Sequence, residues 1–266
     1  MPGSIADYLE SALLGHIFNA SWTPPASVYL ALGTGVTDAG LSGEPSGNGY
    51  GRQAITFAAA ASRAVAQNAD VTFGPVTTTS WGTITHWAVY DAASGGNCMA
   101  TGLFAAGKIC SVGRSPRVVS GQIQVQFVAG AISTIWANRL LDRAFRNVTS
   151  GTAKPNTYVA ICTSAPIDSD SDISAKEVSG GNYARVQVNP NGGSSPTWTT
   201  VSSGALSNAS EITFPTPSAV WSVAHMAIVS ASTAGELIKY ADITDESCGI
   251  GDPVSIPAGD LDISMS

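Results

Sequence analysis

Charge is what this chain has least of: Asp, Glu, Lys and Arg make up 12% of its 266 residues, about half the share usual in globular proteins. The balance of 12 basic against 19 acidic residues gives a net charge of −7. With no basic stripe, a nucleic-acid partner is not expected. The densest basic cluster, Arg139, Arg143 and Arg146, has helical spacing and reads as a solvated helix face. No apolar run is long enough to span a bilayer, and the N-terminus lacks the basic start and apolar core of an export signal. Four cysteines are too few for a disulfide scaffold. Cys98 and Cys110 are spaced to face each other across a hairpin, and Cys110 and Cys248 occupy matching places. Cys162 has Gly33 in its matching place. Buried free thiols are the expectation, with cross-links within or between chains the alternative. There is no Gly-x-Ser-x-Gly elbow, paired-carboxylate site or activated cysteine, so the chain is expected not to be an enzyme and to need no cofactor. These scarcities do not amount to disorder, because 44% of the residues are hydrophobic.

What the chain does have is an internal echo. Gly47-Asn-Gly-Tyr50-Gly-Arg52 returns about 133 residues later as Gly180-Gly-Asn-Tyr183-Ala-Arg185, with Glu44 and Glu177 placed equally upstream. Asn68-Ala69 and Asn208-Ala209 each run into a Thr-Phe pair. Trp81 matches Trp221, His86 matches His225, and Cys110-Ser-Val-Gly113 matches Cys248-Gly-Ile-Gly251. A repeat of this period means one module used twice. Residues 1–132 and 133–266 are the two modules, hinged near Gly130.

Each module opens with a helical stripe, Ile5, Leu9, Leu13, Ile17 and Phe18 in the first, with Ser4 as its cap. Ile135, Trp136, Leu140, Leu141, Ala144 and Phe145 form the second. Turn-rich segments, 23–25 and 151–155, stop both helices. The period then changes to two. Strands are expected over 28–32, 50–57, 69–73, 83–90, 98–104 and 122–127 in the first module, and over 157–162, 183–188, 223–229 and 260–266 in the second. Short strands separated by Gly, Asn and Pro make the fold mainly β: two tandem antiparallel β-sandwich modules, each preceded by a short N-terminal α-helix. The strand from Ile84 to Tyr90 is apolar on both faces, which marks it as central.

Several motifs invite chemistry and fall short of it. His86 and His225 have no second ligand at metal spacing and read as hydrogen-bonded structural histidines. Gly102-Leu-Phe-Ala-Ala-Gly-Lys108 misses a phosphate loop because Ile109 stands where Ser or Thr is required. Asp168, Asp170 and Asp172 lack the mid-loop glycine of a calcium loop. The sequons at Asn19, Asn147 and Asn208 are those expected by chance in a Ser/Thr-rich chain. The repeated set Glu44, Tyr50 and Arg52, with Glu177, Tyr183 and Arg185, remains. There the arginine is expected to pair with the glutamate and pin the preceding loop to the sheet.

The succession Tyr29-Leu-Ala-Leu32, Thr37-Asp-Ala39, Glu44, Gly49-Tyr-Gly-Arg52, Trp81-Gly-Thr-Ile-Thr-His86, Tyr90-Asp-Ala-Ala-Ser-Gly-Gly96 and Ile256-Pro-Ala-Gly259 resembles a tailed-bacteriophage virion family whose members carry the label tail fibre protein. The resemblance implies a non-enzymatic virion structural protein, assembled in the host bacterial cytoplasm. Compact modules with little charge, and no shaft repeats or heptads, point first to a capsid decoration or cement protein. Its partners would be other virion proteins, the major capsid protein or tail proteins, and copies of itself, with a trimer as the guess. The alternative is a tail-associated subunit whose 33–49 and 163–182 loops bind a host glycan or surface protein, with Trp198 as a stacking residue.

Overall fold

The computed structural model describes residues 3–19, 22–37, 39–128, 132–148 and 156–265. The hinge expected at Gly130, Asp38 and the 151–155 turn lie outside the described residues. In chain order the first repeat holds β1 (Ser4–Ile5), α1 (Asp7–Phe18), β2 (Val28–Gly33), β3 (Gly35–Thr37), β4 (Gly40–Ser42), β5 (Gln53–Ile55), β6 (Ala64–Ala66), β7 (Val71–Thr72), β8 (Gly82–Tyr90), β9 (Cys98–Cys110), β10 (Arg117–Val118) and β11 (Gln124–Gln126). The second holds α2 (Thr134–Arg146), β12 (Thr157–Cys162), β13 (Val186–Val188), β14 (Ala205–Ser207), β15 (Ile212–Thr213), β16 (Trp221–Val229), β17 (Leu237–Cys248), β18 (Ser255–Ile256) and β19 (Asp262–Ser264).

The sheets repeat as the sequence does. A main sheet ordered β1-β9-β8-β2-β5 corresponds to one ordered β13-β12-β16-β17. Short ladders β6–β11 and β7–β10 correspond to β14–β19 and β15–β18. Strand pairing is antiparallel throughout these ladders. The register matches residue by residue, since Gly33 lies opposite His86 and Cys162 lies opposite His225. Alternation decides which faces are buried. Ile123, Val125 and Phe127 point inward while Gln122, Gln124 and Gln126 are exposed, and Leu261 and Ile263 alternate with Asp260 and Asp262 in the same way. β8 is central, between β9 and β2, and its Trp87, Ala88 and Val89 are fully buried.

Three local expectations are corrected. Ser4 does not cap α1; it belongs to β1 and pairs with Thr101, and the backbone carbonyl of Ala6 receives the first helical N–H groups. β9 does not stop at Phe104 but continues to Cys110. Cys98 and Cys110 are therefore the two ends of one strand and cannot meet across a hairpin. Arg143 is not solvated: it is 7% exposed on α2, and burial lowers its pKa. Arg146 does lie outward, paired with Asp142 one turn earlier.

The described chain forms two compact units, and neither is contiguous in sequence. One comprises Met1–Glu10, Thr23–Phe127 and Asn138–Ser150; the other comprises Ser11–Trp22, Val128–Ala137 and Gly151–Ser266. Within the first unit, Phe145 of α2 packs on Phe57 with ring centroids 5.1 Å apart. The Arg63 N–H donates to Asn138 Oδ1 at 2.8 Å, and the Ala60 N–H donates to Asp142 Oδ1 at 2.7 Å. Within the second, Phe18 of α1 meets Trp198 edge-on at 5.2 Å, and the Gly204 N–H donates to Ser11 Oγ at 2.9 Å. The receiving turns are equivalent. Ser62-Arg63 and Ser203-Gly204 both have positive φ, and each turn closes with reciprocal backbone bonds, Ala61 with Ala64 and Ser202 with Ala205. Each repeat's hairpin is thus completed by the helix of the other repeat. The helix supplies an aromatic side chain for the core and a polar acceptor for a turn N–H that would otherwise be unpaired.

Phe18→Ala is expected to cost about 3–5 kcal/mol, as for other buried aromatic truncations. Hydrogen exchange should rise over residues 197–208 while residues 57–68 keep their protection. The reverse pattern would show that α1 completes its own repeat.

Candidate functional site

The best-defined polar constellation is the repeated Glu–Tyr–Arg set, which the fold gathers in both units. Gly47 and Gly49 have positive φ, and so do Asn48 and, in the second copy, Gly180, Gly181 and Asn182. This run of left-handed backbone folds the chain so that the tyrosine and arginine after it face the glutamate before it. A side chain at Gly49 would collide with the Pro75 carbonyl in addition to requiring that strained φ.

In the first unit, the Tyr50 hydroxyl donates to Glu44 Oε1 at 2.8 Å and accepts the Leu32 N–H of β2 at 3.0 Å. Arg52 grips the same carboxylate with two prongs, Nε to Oε1 and Nη2 to Oε2, both at 2.9 Å. Its remaining nitrogen, Nη1, donates to the carbonyls of Gly95 at 2.6 Å and Ala92 at 3.3 Å, in the turn between β8 and β9. Its guanidinium lies 3.5 Å from the centre of the Tyr90 ring. The second unit repeats this. The Tyr183 hydroxyl donates to Glu177 at 2.8 Å and accepts the Ile161 N–H at 3.2 Å. Arg185 binds Glu177 through Nε and Nη2 and reaches the carbonyls of Ala231 and Ala234 through Nη1. Val229 takes the register place of Tyr90, so the aromatic ring that lies against Arg52 has an aliphatic side chain in its place in the second copy.

Burial alone would raise the Glu44 carboxyl. The hydrogen bonds from Arg52 and Tyr50, and the charge of Arg52, outweigh it and hold the carboxyl below its ordinary value of 4.5. Burial raises the Tyr50 hydroxyl strongly, and its bond to Glu44 adds to that, so the phenol stays a donor. Tyr183 is raised likewise, by burial first and by the charge of Glu177 next.

Both sets floor open clefts. One, of about 340 Å³, is bounded by Pro45, Ser46, Ala93 and Ser94; the other, of about 310 Å³, is bounded by Ser174, Val178, Ser232 and Thr233. All three guanidinium nitrogens of each arginine are already committed to the protein. The arrangement ties a loop, a strand and a turn together.

The other candidate residues divide clearly. Trp81 packs edge-on against Tyr50, with centroids 5.2 Å apart, and donates Nε1–H to the Asn48 carbonyl. Trp221 meets Tyr183 in the same way at 5.7 Å, although it is Gly82 that shares its register place. His86 and His225 are not brought together with these sets. His86 Nδ1 bonds the Thr85 hydroxyl, and His225 Nδ1 bonds Asp242 at 2.7 Å. No group of three potential metal ligands occurs among the described residues. Asp170 and Asp172 accept bonds from Lys176 and Ser174 within their own loop. Cys98, Cys110, Cys162 and Cys248 are all free and buried. Burial pushes the Cys98 and Cys162 thiols up to about 12 and raises Cys110 and Cys248. Trp198 is not available as a stacking residue: it is fully buried, with its Nε1–H on Thr157 Oγ1 at 2.8 Å. The carbonyls that receive each arginine escaped the sequence reading, because backbone acceptors leave no residue-type signal. The small residues at 92–96 and 231–235 were the only trace.

The glutamate and arginine side chains are 6% and 3% exposed in the second unit, against 24% and 10% in the first. Arg185→Ala, which strands a buried carboxylate, is expected to destabilise by about 3–5 kcal/mol. Arg52→Ala should cost about 2 kcal/mol; chemical denaturation of both variants measures the difference. Because the folded-state value of Glu44 is depressed, its contribution is complete above its unfolded pKa and lost as pH falls through the folded one. Between about pH 6 and pH 3 the wild type should therefore lose more stability than Glu44→Gln, read as the shift in denaturation midpoint.

No curated protein matches the chain. A family model described as podophage GP4 fiber I protein gp80 matches it twice, over residues 4–126 and again over residues 131–264. The two matches lie end to end along almost the whole chain and divide it where the sequence echo does. The chain belongs to this Gp80 family and is a bacteriophage virion structural protein built from two tandem copies of the family's module.

Proposed function

We propose that the chain is a non-catalytic subunit of a phage fibre or of the tail structure that carries it. The observation behind this reading is the double family match, whose description names a fibre. The alternative is a capsid decoration subunit, a role that two compact, sparsely charged modules would also suit. The site geometry supports a structural role, since each cleft is floored by an ion pair whose donors are spent on holding the sandwich together. Its partners would be other tail proteins and further copies of itself. The chain would act by burying apolar and Thr-rich faces, at roughly 25 cal/mol per Å² before ordering costs.

Immunogold labelling of intact particles with an antibody to this chain tests the assignment. Gold on the tail and its appendages is expected. Gold spread over the head would overturn it and restore the decoration-protein reading.

A further inference from the structure

The two repeats carry the same long strand and turn with opposite charge. Residues 98–122, from β9 through β10, contain Lys108, Arg114 and Arg117 and no acidic residue. The equivalent residues 237–261 contain Asp242, Asp245, Glu246, Asp252 and Asp260 against the single basic Lys239. β17 is an edge of its sheet, and most of β9 is open on the side away from β8. β1 covers β9 only at Ala100 and Thr101, and β17 has its ladder with β16 alone. Both are kinked at the same place. Thr85 alone faces the four residues 104–107, between the pairs Ile84–Lys108 and His86–Leu103. Ala224 alone faces 243–245, between Val223–Glu246 and His225–Asp242. Bulges of this kind prevent a continuous ladder from growing on the edge, so recognition there falls to side chains. The first arm exposes Ile109 at 76% and Val112 at 52%, and the second exposes Ile250 at 71%. Arg114, Asp242, Asp245 and Glu246 are exposed around them.

We propose that the basic arm of one chain, residues 103–117, docks on the acidic arm of a second copy, residues 242–252. Val112 and Ile250 form the dry centre of the contact, while Lys108 and Arg114 face Asp245 and Glu246 across its rim. The two surfaces differ, so the contact is heterologous: each docked copy keeps one arm free, and copies add head to tail into a ring or a filament. Like-charged pairings, basic on basic or acidic on acidic, are rejected, which fixes the polarity of assembly. This deepens the reading of the chain as a fibre subunit by assigning the contact between copies. It is tested on purified protein, so its failure is distinct from a failure of the particle labelling.

The experiment is sedimentation velocity of the full chain over a concentration series, at about 0.05 M and about 0.5 M salt. The mass is expected to climb with concentration at low salt and to fall to monomer at high salt. Two variants reverse one arm each, K108E with R114E and D245K with E246K. Each alone should remain monomeric with an unchanged circular dichroism spectrum, and an equal mixture of the two should assemble again. A wild type that stays monomeric at low salt would overturn the proposal. So would assembly that ignores salt, or reversed variants that fail to rescue each other.

Discussion

One bidentate carboxylate–guanidinium pair organises each sandwich. Glu44 and Arg52 lie on opposite sides of a glycine-rich turn, and neither can be left alone where the fold puts them, since a partly buried charge needs its partner. Bringing them together places the Tyr50 hydroxyl against the Leu32 N–H and the third guanidinium nitrogen against the β8–β9 turn. A loop, the β2 strand and the far end of the main sheet are thereby fixed by one side chain and its acceptor. The second repeat preserves every one of these links through Glu177, Tyr183, Arg185, Ile161, Ala231 and Ala234, while Pro45, Asn48 and Gly49 give way to Val178, Gly181 and Asn182.

The two copies have also diverged in instructive ways. Tyr90 beneath Arg52 gives way to Val229, and the second ion pair is more deeply buried in compensation. Leu103 opposite His86 becomes Asp242 opposite His225, which places a carboxylate within hydrogen-bond reach of the imidazole. The backbone tolerates the second exchange because Leu103 and Asp242 flank the bulge, where the strand leaves the ladder. Side chains there answer to solvent and to neighbours more than to the core.

Much of this was legible in the sequence. The echo announced two modules, alternation at Ile123, Val125 and Phe127 gave the buried face of an edge strand, and the spacing of Glu44, Tyr50 and Arg52 suggested their meeting. What stayed hidden shares a physical cause, which is that periodicity reports that a face is buried and not what buries it. The stripe of α1 was plain, yet nothing in it said that Phe18 would meet Trp198 in the other repeat. For the same reason Trp198, lying in a Pro-rich polar stretch, looked like a surface ring. The helical spacing of Arg139, Arg143 and Arg146 suggests a solvated face, but spacing carries no sign of what covers Arg143. β9 outran its expected end because its bulge, rich in Ala and Gly, breaks the alternation by which strands are recognised.

The exchange of helices bears on how such a gene can change. A duplication whose halves fold separately can be undone by deleting one of them. Here, removing either half takes from the surviving hairpin the aromatic side chain and the polar acceptor that close it. In a chain carrying one repeat, that place would stand open to the repeat's own helix or to the helix of a second molecule. Joining the two into one polypeptide makes that partnership independent of concentration. The tandem arrangement keeps each hairpin and the helix that completes it within one polypeptide.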